Sequence, residues 1–212
     1  MTYRFSVEYQ MNISKHFFNY TISLLLLPWV LLLLGGIAVL VKRSSSGPVF
    51  FRQERLGRCG KPFTMWKIRT MVVDAEKRRE QLYAQNQATG LLFKMDDDPR
   101  ETRFGRILRR TGLDELPQIW NVLRGEMSLV GPRPLPRQDI QEAWFAQHQE
   151  FRPLWEKRQS ILPGVTGLWQ IRPTNRFSFE EMLTLDCPYV DHMGIRTDVK
   201  ILWGTFSRAF LR

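Results

Sequence analysis

One apolar run near the N-terminus constrains the fold of this chain more than any other feature. Residues 22–41 contain no charged side chain, and Lys42 and Arg43 follow directly. A helix of about 20 residues is about 30 Å long, which matches the hydrocarbon core of a bilayer. The run is too long for the apolar part of a signal peptide, and no clear cleavage site precedes Lys42. The sequence therefore predicts a membrane segment.

Two topologies of this segment are compatible with the residues. Basic side chains flank both ends, with Lys15 before the run and Lys42 and Arg43 after it, so the positive-inside rule does not favour opposite sides. Pro28 lacks an N–H group and can break the helix near the membrane middle, where freed carbonyls need a partner such as the Ser23 hydroxyl. A straight spanning helix and a re-entrant hairpin bent at Pro28 both stay open.

The remaining chain is predicted to be a mainly helical α+β domain. Residues 44–48 form a linker, and residues 49–55 and 63–69 are predicted strands that a turn joins into a small β-hairpin. Lys67 and Arg69 share one face of the second strand, which solvation alone explains. Helices are predicted over 72–87, 100–110, 138–160 and 199–212, and the last is amphipathic, so it suits a membrane interface or a core. We divide the chain into residues 1–43 and 44–212.

The charge of the chain implies an anionic partner. The formal net charge is +10 and the pI is about 10.1, so nucleic acid, an anionic lipid surface and a phosphorylated substrate are candidates. No RNA-binding or helix-turn-helix signature is present, so we do not predict a nucleic-acid partner. Cys59, Cys187 and three histidines lie far apart, which argues against a zinc site.

The adjacent acidic pair Asp114 and Glu115 lies between a cluster of arginines and a Gly-Pro-Arg-Pro turn. Gly112 interrupts a basic helix, Asp114 is a predicted N-cap for the next helix, and Pro117 then falls in its first turn. A helix N-terminus keeps a carboxylate ionised and also attracts phosphate. An ionised aspartate can attack phosphorus and form an acyl phosphate. The alternative is that the pair is simply the acidic first turn of a helix.

Several motifs resemble, in order along most of the chain, those of the bacterial sugar transferases, the monotopic polyprenyl-phosphate phosphoglycosyl transferases. These motifs are residues 67–71, 98–100 with Gly105, 113–118, 121–134 and 163–170. Two departures from the family pattern are visible. Leu27 replaces a serine that often precedes the proline of the membrane segment. The usual Gly-Arg pair after Gln170 is absent, so that either Arg172 or Arg176 takes its place.

The resemblance implies an enzyme and a mechanism. Asp114 would attack the sugar-bearing phosphorus of a UDP-sugar, release UMP and form a covalent aspartyl phosphosugar. A polyprenol phosphate such as undecaprenyl phosphate would then accept the sugar 1-phosphate and start exopolysaccharide, O-antigen or glycoprotein glycan synthesis. Mg²⁺ and arginines would neutralise the two anionic substrates. A non-catalytic membrane adaptor with the same fold and a basic nucleic-acid-binding protein are the alternatives.

The resemblance also implies location and topology. The segment would be re-entrant, with its bend at Pro28, in the bacterial inner membrane. The catalytic domain would lie on the cytoplasmic face. A homodimer is compatible with the resemblance. Met1 followed by one hydrophobic segment favours a natural short form of the family. Candidate residues are Asp114 and Glu115 for catalysis and Mg²⁺ binding; Arg109, Arg133, Lys67, Arg69 and Arg110 for substrate phosphate; and Gly131, Pro132, Gly164, Thr166, Gln170, Arg172 and Arg176 for the nucleotide sugar.

Overall fold

The computed structural model describes residues 13–87, 91–93, 95, 97–172 and 178–210, and these form a mainly helical α+β fold with two small sheets. The strands are β1 Phe50–Leu56, β2 Pro62–Ile68, β3 Ser128–Val130 and β4 Gly164–Thr166. The helices are α1 Ile13–Ser44, α2 Ala75–Gln81, α3 Arg103–Thr111, α4 Gln118–Leu123, α5 Glu142–Gln147, α6 Arg152–Gln159, α7 Phe179–Asp191 and α8 Ile195–Phe210.

Helix α1 contains the predicted membrane segment and is longer than the apolar run. Among the described residues it is the one helix that is long and apolar enough to cross a membrane, with a mean hydropathy of 2.8. One stripe of the helix is buried, and the remaining surface exposes large apolar side chains such as Leu25, Trp29 and Leu32. The buried stripe has helical spacing and consists of Asn19, Ser23, Val30, Ile37 and Val41.

The re-entrant bend predicted at Pro28 is not shown, because α1 is continuous through that residue. A proline inside a helix removes one backbone hydrogen bond, and here the helix continues past that loss. The expectation that the Ser23 hydroxyl would satisfy a freed carbonyl is wrong. Ser23 Oγ is buried and has no hydrogen-bond partner among the described residues.

The N-terminal end of α1 is fastened to the C-terminal part of the domain. The Lys15 ammonium forms an ion pair of 2.5 Å with the buried Asp198 carboxylate on α8 and donates a hydrogen bond of 3.1 Å to the Val130 carbonyl. The Tyr189 hydroxyl on α7 also donates to Asp198, over 2.7 Å. The basic residue predicted to flank the membrane segment is therefore paired with the domain, and its side chain is 12% exposed.

The other end of α1 contacts the same domain. Ile37 and Val41 form a buried cluster with Ile68 at the end of β2 and Leu108 on α3. Burial of four such side chains stabilises the contact by several kcal/mol, at about 1.5–3 kcal/mol for each fully buried side chain. Helix α1 thus packs along the domain near both of its ends.

The predicted hairpin is confirmed, since β1 and β2 pair in antiparallel register from Phe50 opposite Ile68 to Leu56 opposite Pro62. Paired residues in an antiparallel sheet point to the same face, and neighbours along a strand point to opposite faces. Phe51 and Lys67 therefore share one face. The paired residues Arg52 and Trp66 share the other face, where the guanidinium lies 5.2 Å from the indole ring.

The single helix predicted over residues 138–160 is wrong. Helices α5 and α6 are separated by a 3-10 turn, Gln149–Phe151, because Pro153 cannot donate to the preceding turn and instead lies in the first turn of α6. The predicted C-terminal helix is confirmed as amphipathic. Ile201 on α8 is buried, while Val199, Trp203 and Phe206 are exposed; residues 211–212 lie outside the described part.

Candidate active site

A charged cavity of about 260 Å³ lies between the β-hairpin, α2, α3 and the 3-10 turn Leu113–Glu115. More basic than acidic side chains line it, so its field favours an anionic ligand. The acidic lining residues are Glu76, Asp114 and Asp139, and the basic ones are Arg55, Lys67, Arg69, Arg79, Arg100 and Arg109.

Asp114 is positioned by the turn that follows α3. Gly112 adopts a left-handed conformation, with a φ of 73°, and ends the helix. A 3-10 turn over Leu113–Glu115 follows, and α4 begins only at Gln118, after Pro117. The prediction that Asp114 caps the next helix is therefore wrong, because the turn inserts Asp114 into the protein before that helix starts.

Burial dominates the electrostatics of Asp114. Its carboxylate is 6% exposed and accepts no hydrogen bond from the described residues. Burial raises the pKa of Asp114, the nearby Lys67 ammonium opposes this shift, and the Glu115 carboxylate adds to it. We expected a helix N-terminus to keep Asp114 fully ionised, and this expectation is wrong. The ionised form of the Asp114 carboxylate depends instead on the neighbouring cations.

Glu115 is bound by two cations. Lys67 Nζ and Arg133 Nη2 each lie 2.6 Å from Glu115 Oε1, and Arg133 Nη1 lies 3.3 Å from Oε2. Although burial raises the pKa of this carboxyl, Arg133 and Lys67 hold the pKa of Glu115 well below its usual range. Burial lowers the pKa of Lys67, and Glu115 opposes that shift. The structure therefore brings together Asp114, Glu115, Lys67 and Arg133, and their roles towards substrate stay predictions.

A buried pair behind Arg133 was missed by the sequence analysis. Arg158 on α6 donates to the Arg133 carbonyl and pairs with Asp186 on α7, with 2.8 Å between Nε and Oδ2. Arg158 and Asp186 are 3% and 1% exposed. The sequence signal for this pair was Asp186, which lies beside Leu183 and Cys187 on the apolar face of α7. A charged side chain on such a face needs a partner.

Arg55 is a second residue that the sequence analysis missed. Its guanidinium donates to the Pro134 carbonyl over 2.8 Å and to the Gln53 amide oxygen over 2.5 Å, while Nε is buried without a partner among the described residues. Burial and the neighbouring Arg133 lower the pKa of Arg55 to about 9, so it is still charged at neutral pH. Strand alternation could have found it, because Arg55 and Lys67 share one face of the hairpin.

The other predicted phosphate ligands lie in different surroundings. Arg109 lines the cavity and pairs with Glu101 over 2.5 Å. The close approach of α3 that brings it there requires Gly105, where a Cβ would lie 1.9 Å from the Thr70 carbonyl oxygen. Arg110 is exposed on α3 and does not line the described cavity.

Arg69 lines the cavity, but its guanidinium donates hydrogen bonds to the linker after α1. Its guanidinium donates to the carbonyls of Pro48, Ser46 and Ser45 over 2.6, 2.7 and 3.0 Å. These contacts give Arg69 a structural role at the end of α1. Its predicted contact with substrate phosphate stays a prediction.

The residues predicted to contact the nucleotide sugar do not line this cavity in the described part of the chain. Gly131 and Pro132 exchange backbone hydrogen bonds of 2.9 Å with Thr166 and Gly164 of the β4 region. The approach is so close that a Cβ on Gly164 would lie 2.0 Å from Gly131 N. This glycine-rich backbone therefore joins two segments of the fold, and its nucleotide contact stays a prediction.

The last three residues predicted to contact the nucleotide sugar are Gln170, Arg172 and Arg176, farther along the chain. Gln170 Nε2 donates to the Val165 carbonyl over 3.3 Å, and Gln170 Oε1 is buried without a partner among the described residues. Arg172 is exposed just after the 3-10 turn Trp169–Ile171. Arg176 lies outside the described residues, so the choice between the two arginines stays open.

Of Asp114 and Glu115, the two predicted Mg²⁺ ligands, only Asp114 has a carboxylate without a basic partner among the described residues. Both oxygens of Glu115 already accept hydrogen bonds from basic side chains, which does not fit a role as a metal ligand. The Asp114 carboxylate is unpaired within the described structure and faces the cavity. Mg²⁺ is usually held by one or two carboxylates together with substrate phosphates and water, so Asp114 alone fits such an ion.

Comparison with known proteins places this site in a family. The family model for bacterial sugar transferases matches residues 10–212. The chain is 40% identical, over 96% of its length, to galactosyl transferase CpsE of Streptococcus agalactiae, and 36% identical, over 98%, to the UDP-galactose-lipid carrier transferase of Erwinia amylovora. It is 38% identical, over 82%, to the UDP-glucose:undecaprenyl-phosphate glucose-1-phosphate transferase of Escherichia coli.

The match covers most of this chain but only part of these relatives. The chain spans 44%, 45% and 35% of their respective lengths. The family model nevertheless includes α1, the hairpin and every described residue around Asp114. The chain therefore belongs to the bacterial sugar transferase family.

Proposed function

We propose that this chain transfers a sugar 1-phosphate from a UDP-sugar to a polyprenol phosphate. The observation that supports this most is the buried, unpaired Asp114 carboxylate in a cavity with a surplus of basic side chains. Such a cavity suits two successive phosphorylated substrates. The names of two relatives, a UDP-galactose-lipid carrier transferase and a UDP-glucose:undecaprenyl-phosphate transferase, support the same pair of substrates.

The proposed reaction has two steps at one carboxylate. An Asp114 oxygen attacks the sugar-bearing phosphorus of the UDP-sugar, and the bond from that phosphorus to the bridging oxygen breaks, so UMP leaves with that oxygen. A phosphate oxygen of the polyprenol phosphate then attacks the phosphorus of the aspartyl phosphosugar. The Asp114–phosphorus bond breaks, the carboxylate is regenerated, and the polyprenyl diphosphate sugar leaves.

Basic side chains make both steps feasible because each step brings two anions together. Lys67 lies beside both carboxylates, and Arg133 is held in place by its two hydrogen bonds to Glu115. In this arrangement Glu115 holds Lys67, which lines the cavity, and Arg133 next to it. These cations stabilise the charge that develops on the transferring phosphoryl group. Mg²⁺, with Asp114 as its protein ligand, would supply further charge neutralisation when bound.

We further propose that the chain attaches to the bacterial inner membrane from the cytoplasmic side only. Helix α1 contacts the same domain through Lys15 near one end and Val41 near the other. A straight membrane span would place these two ends on opposite sides of the bilayer. Contact of both ends with one domain supports a monotopic attachment, with the exposed leucines of α1 in the lipid.

A direct test is UMP release by detergent-purified protein with a panel of UDP-sugars, Mg²⁺ and undecaprenyl phosphate. We expect release with at least one sugar, and mass analysis without acceptor should then detect a covalent sugar-phosphate adduct. Absence of both release and nucleotide-sugar binding across the panel would overturn the proposal and favour the membrane adaptor.

The raised pKa of Asp114 predicts the pH dependence of the first step. Because only the ionised carboxylate attacks phosphorus, kcat/KM for UMP release should fall on the acid side at a pH above the ordinary aspartate pKa of about 3.9. Lys67 is the principal group that opposes the shift, so Lys67→Met should move the acid limb to higher pH and lower the plateau. The measurement is the pH profile of UMP release for both proteins.

The matched control for this prediction is Lys61→Met in the exposed hairpin turn. It removes the same charge away from the cavity and should leave the acid limb in place. An acid limb that stays in place or moves downward in Lys67→Met would contradict the assignment of Lys67 as the cation beside Asp114.

A further inference from the structure

An apolar groove of about 230 Å³ lies beside the charged cavity, between α1, the hairpin and α4. Every residue that lines it is apolar, in contrast to the arginine-rich cavity. Its walls include Leu27 and Leu31 from α1, Phe50 and Trp66 from the hairpin, and Trp120 from α4.

The groove adjoins the reaction site at the β-hairpin. Phe50 lines both the groove and the cavity that contains Asp114. Trp66 in the groove precedes Lys67 in the cavity, so neighbouring residues of β2 face the two environments. Pro117 lines the groove and follows Glu115 by one intervening residue, so the acidic pair also adjoins it. The two spaces therefore share Phe50 as a wall, and a ligand that passes this residue would contact both.

We infer that the groove binds the first isoprene units of the polyprenol phosphate acceptor, an inference that rests on the proposed function. The acceptor joins a phosphate to a long apolar chain, and these two parts need a cationic and an apolar environment in contact with one another. The hairpin supplies both, with Lys67 on one face and Trp66 on the other. The groove continues along α1 at Leu31, which is exposed on the surface assigned to lipid, so the distal chain can pass directly into the bilayer.

The expected occupant of the groove is an isoprenoid chain rather than the acyl chain of a bulk phospholipid. The wall at Phe50 that the groove shares with the cavity of Asp114 favours the acceptor, because its own phosphate has to reach the aspartyl phosphosugar. A bulk phospholipid in the groove would place its headgroup in the same cavity and would compete with the reaction.

The test fills the groove by Leu31→Trp and compares it with Leu32→Trp. Leu32 is the next residue on α1, is 72% exposed and does not line the groove. We expect Leu31→Trp to raise the KM for undecaprenyl phosphate roughly tenfold, the factor that loss of about two buried methylene groups produces. Adduct formation from UDP-sugar without acceptor should stay within about twofold, since no apolar chain takes part in that step. Leu32→Trp should change neither quantity.

A second variant keeps the test independent of how tryptophan packs at position 31. Trp120→Ala removes the opposite wall, and we expect it also to raise the acceptor KM while adduct formation continues. Equal acceptor KM values for the wild type and both groove variants would overturn the inference. A KM increase that occurs only when bulk phospholipid is added would assign the groove to phospholipid instead. If the wild type formed neither adduct nor product with any UDP-sugar, the proposed function itself would fail, which is a separate outcome.

Discussion

Replacement of Asp114 by asparagine is expected to lower UMP release by about a thousandfold or more and to abolish the covalent sugar-phosphate adduct. The change keeps the size of the side chain, so the buried turn Leu113–Glu115 should retain its shape. It removes the negative charge and the nucleophilic oxygen on which both steps of the proposed reaction depend. The measurements are the initial rate of UMP release and the intact mass of the protein after incubation with UDP-sugar.

The control for this substitution is Asp191→Asn, which changes an aspartate paired with Lys157 at the protein surface. It should leave both measurements unchanged. If Asp114→Asn released UMP as fast as the wild type, the nucleophile would have to be another group. If it still formed the adduct, with one UMP released per adduct, the adduct would lie on a different residue.

The largest effect on stability is expected at the buried pair behind Arg133. Arg158→Met leaves the Asp186 carboxylate buried without its partner and removes the donor to the Arg133 carbonyl. Breaking a buried ion pair in this way costs about 3–5 kcal/mol in the free energy of unfolding. The measurement is the denaturant dependence of unfolding in detergent, with UMP release followed in parallel.

A double variant distinguishes loss of the pair from loss of arginine packing. Because the main penalty is an unpaired buried charge, Arg158→Met combined with Asp186→Leu should be clearly more stable than Arg158→Met alone. The surface control Arg196→Met, on the exposed start of α8, should be close to the wild type. A double variant no more stable than the single one would show that the ion pair is not the source of the stability.

Local patterns predicted the hairpin well because its signal lies within a few residues. Alternating side chains and the glycine-containing turn placed the strands at 49–55 and 63–69, and the structure has Phe50–Leu56 and Pro62–Ile68. The proximity of Lys67, Glu115 and Arg133 could not be predicted from such a local pattern. Lys67 and Glu115 are 48 residues apart, so the family resemblance rather than any local pattern brought them together in the prediction.

Tertiary packing explains what the sequence did not predict. The rule for helix N-termini predicted a stabilised Asp114 anion, but burial in the turn before α4 raises its pKa instead. The sequence pattern also could not reveal that Arg69 donates to three linker carbonyls. Arg69 shares a strand face with Lys67, and this position is compatible with a contact to backbone as well as with a contact to phosphate. Both differences arise from contacts between segments distant in sequence.

The two-faced hairpin has a consequence for how this protein can change over evolution. Neighbouring side chains of the hairpin face different environments, because Lys67 lines the charged cavity and the preceding Trp66 lines the apolar groove. Insertion or deletion of one residue inside a strand would exchange the two faces beyond that point, so that in β2, for example, Lys67 would leave the cavity and Trp66 would leave the groove. Length changes that preserve activity are therefore confined to an even number of residues within a strand, or to the turn at 57–61.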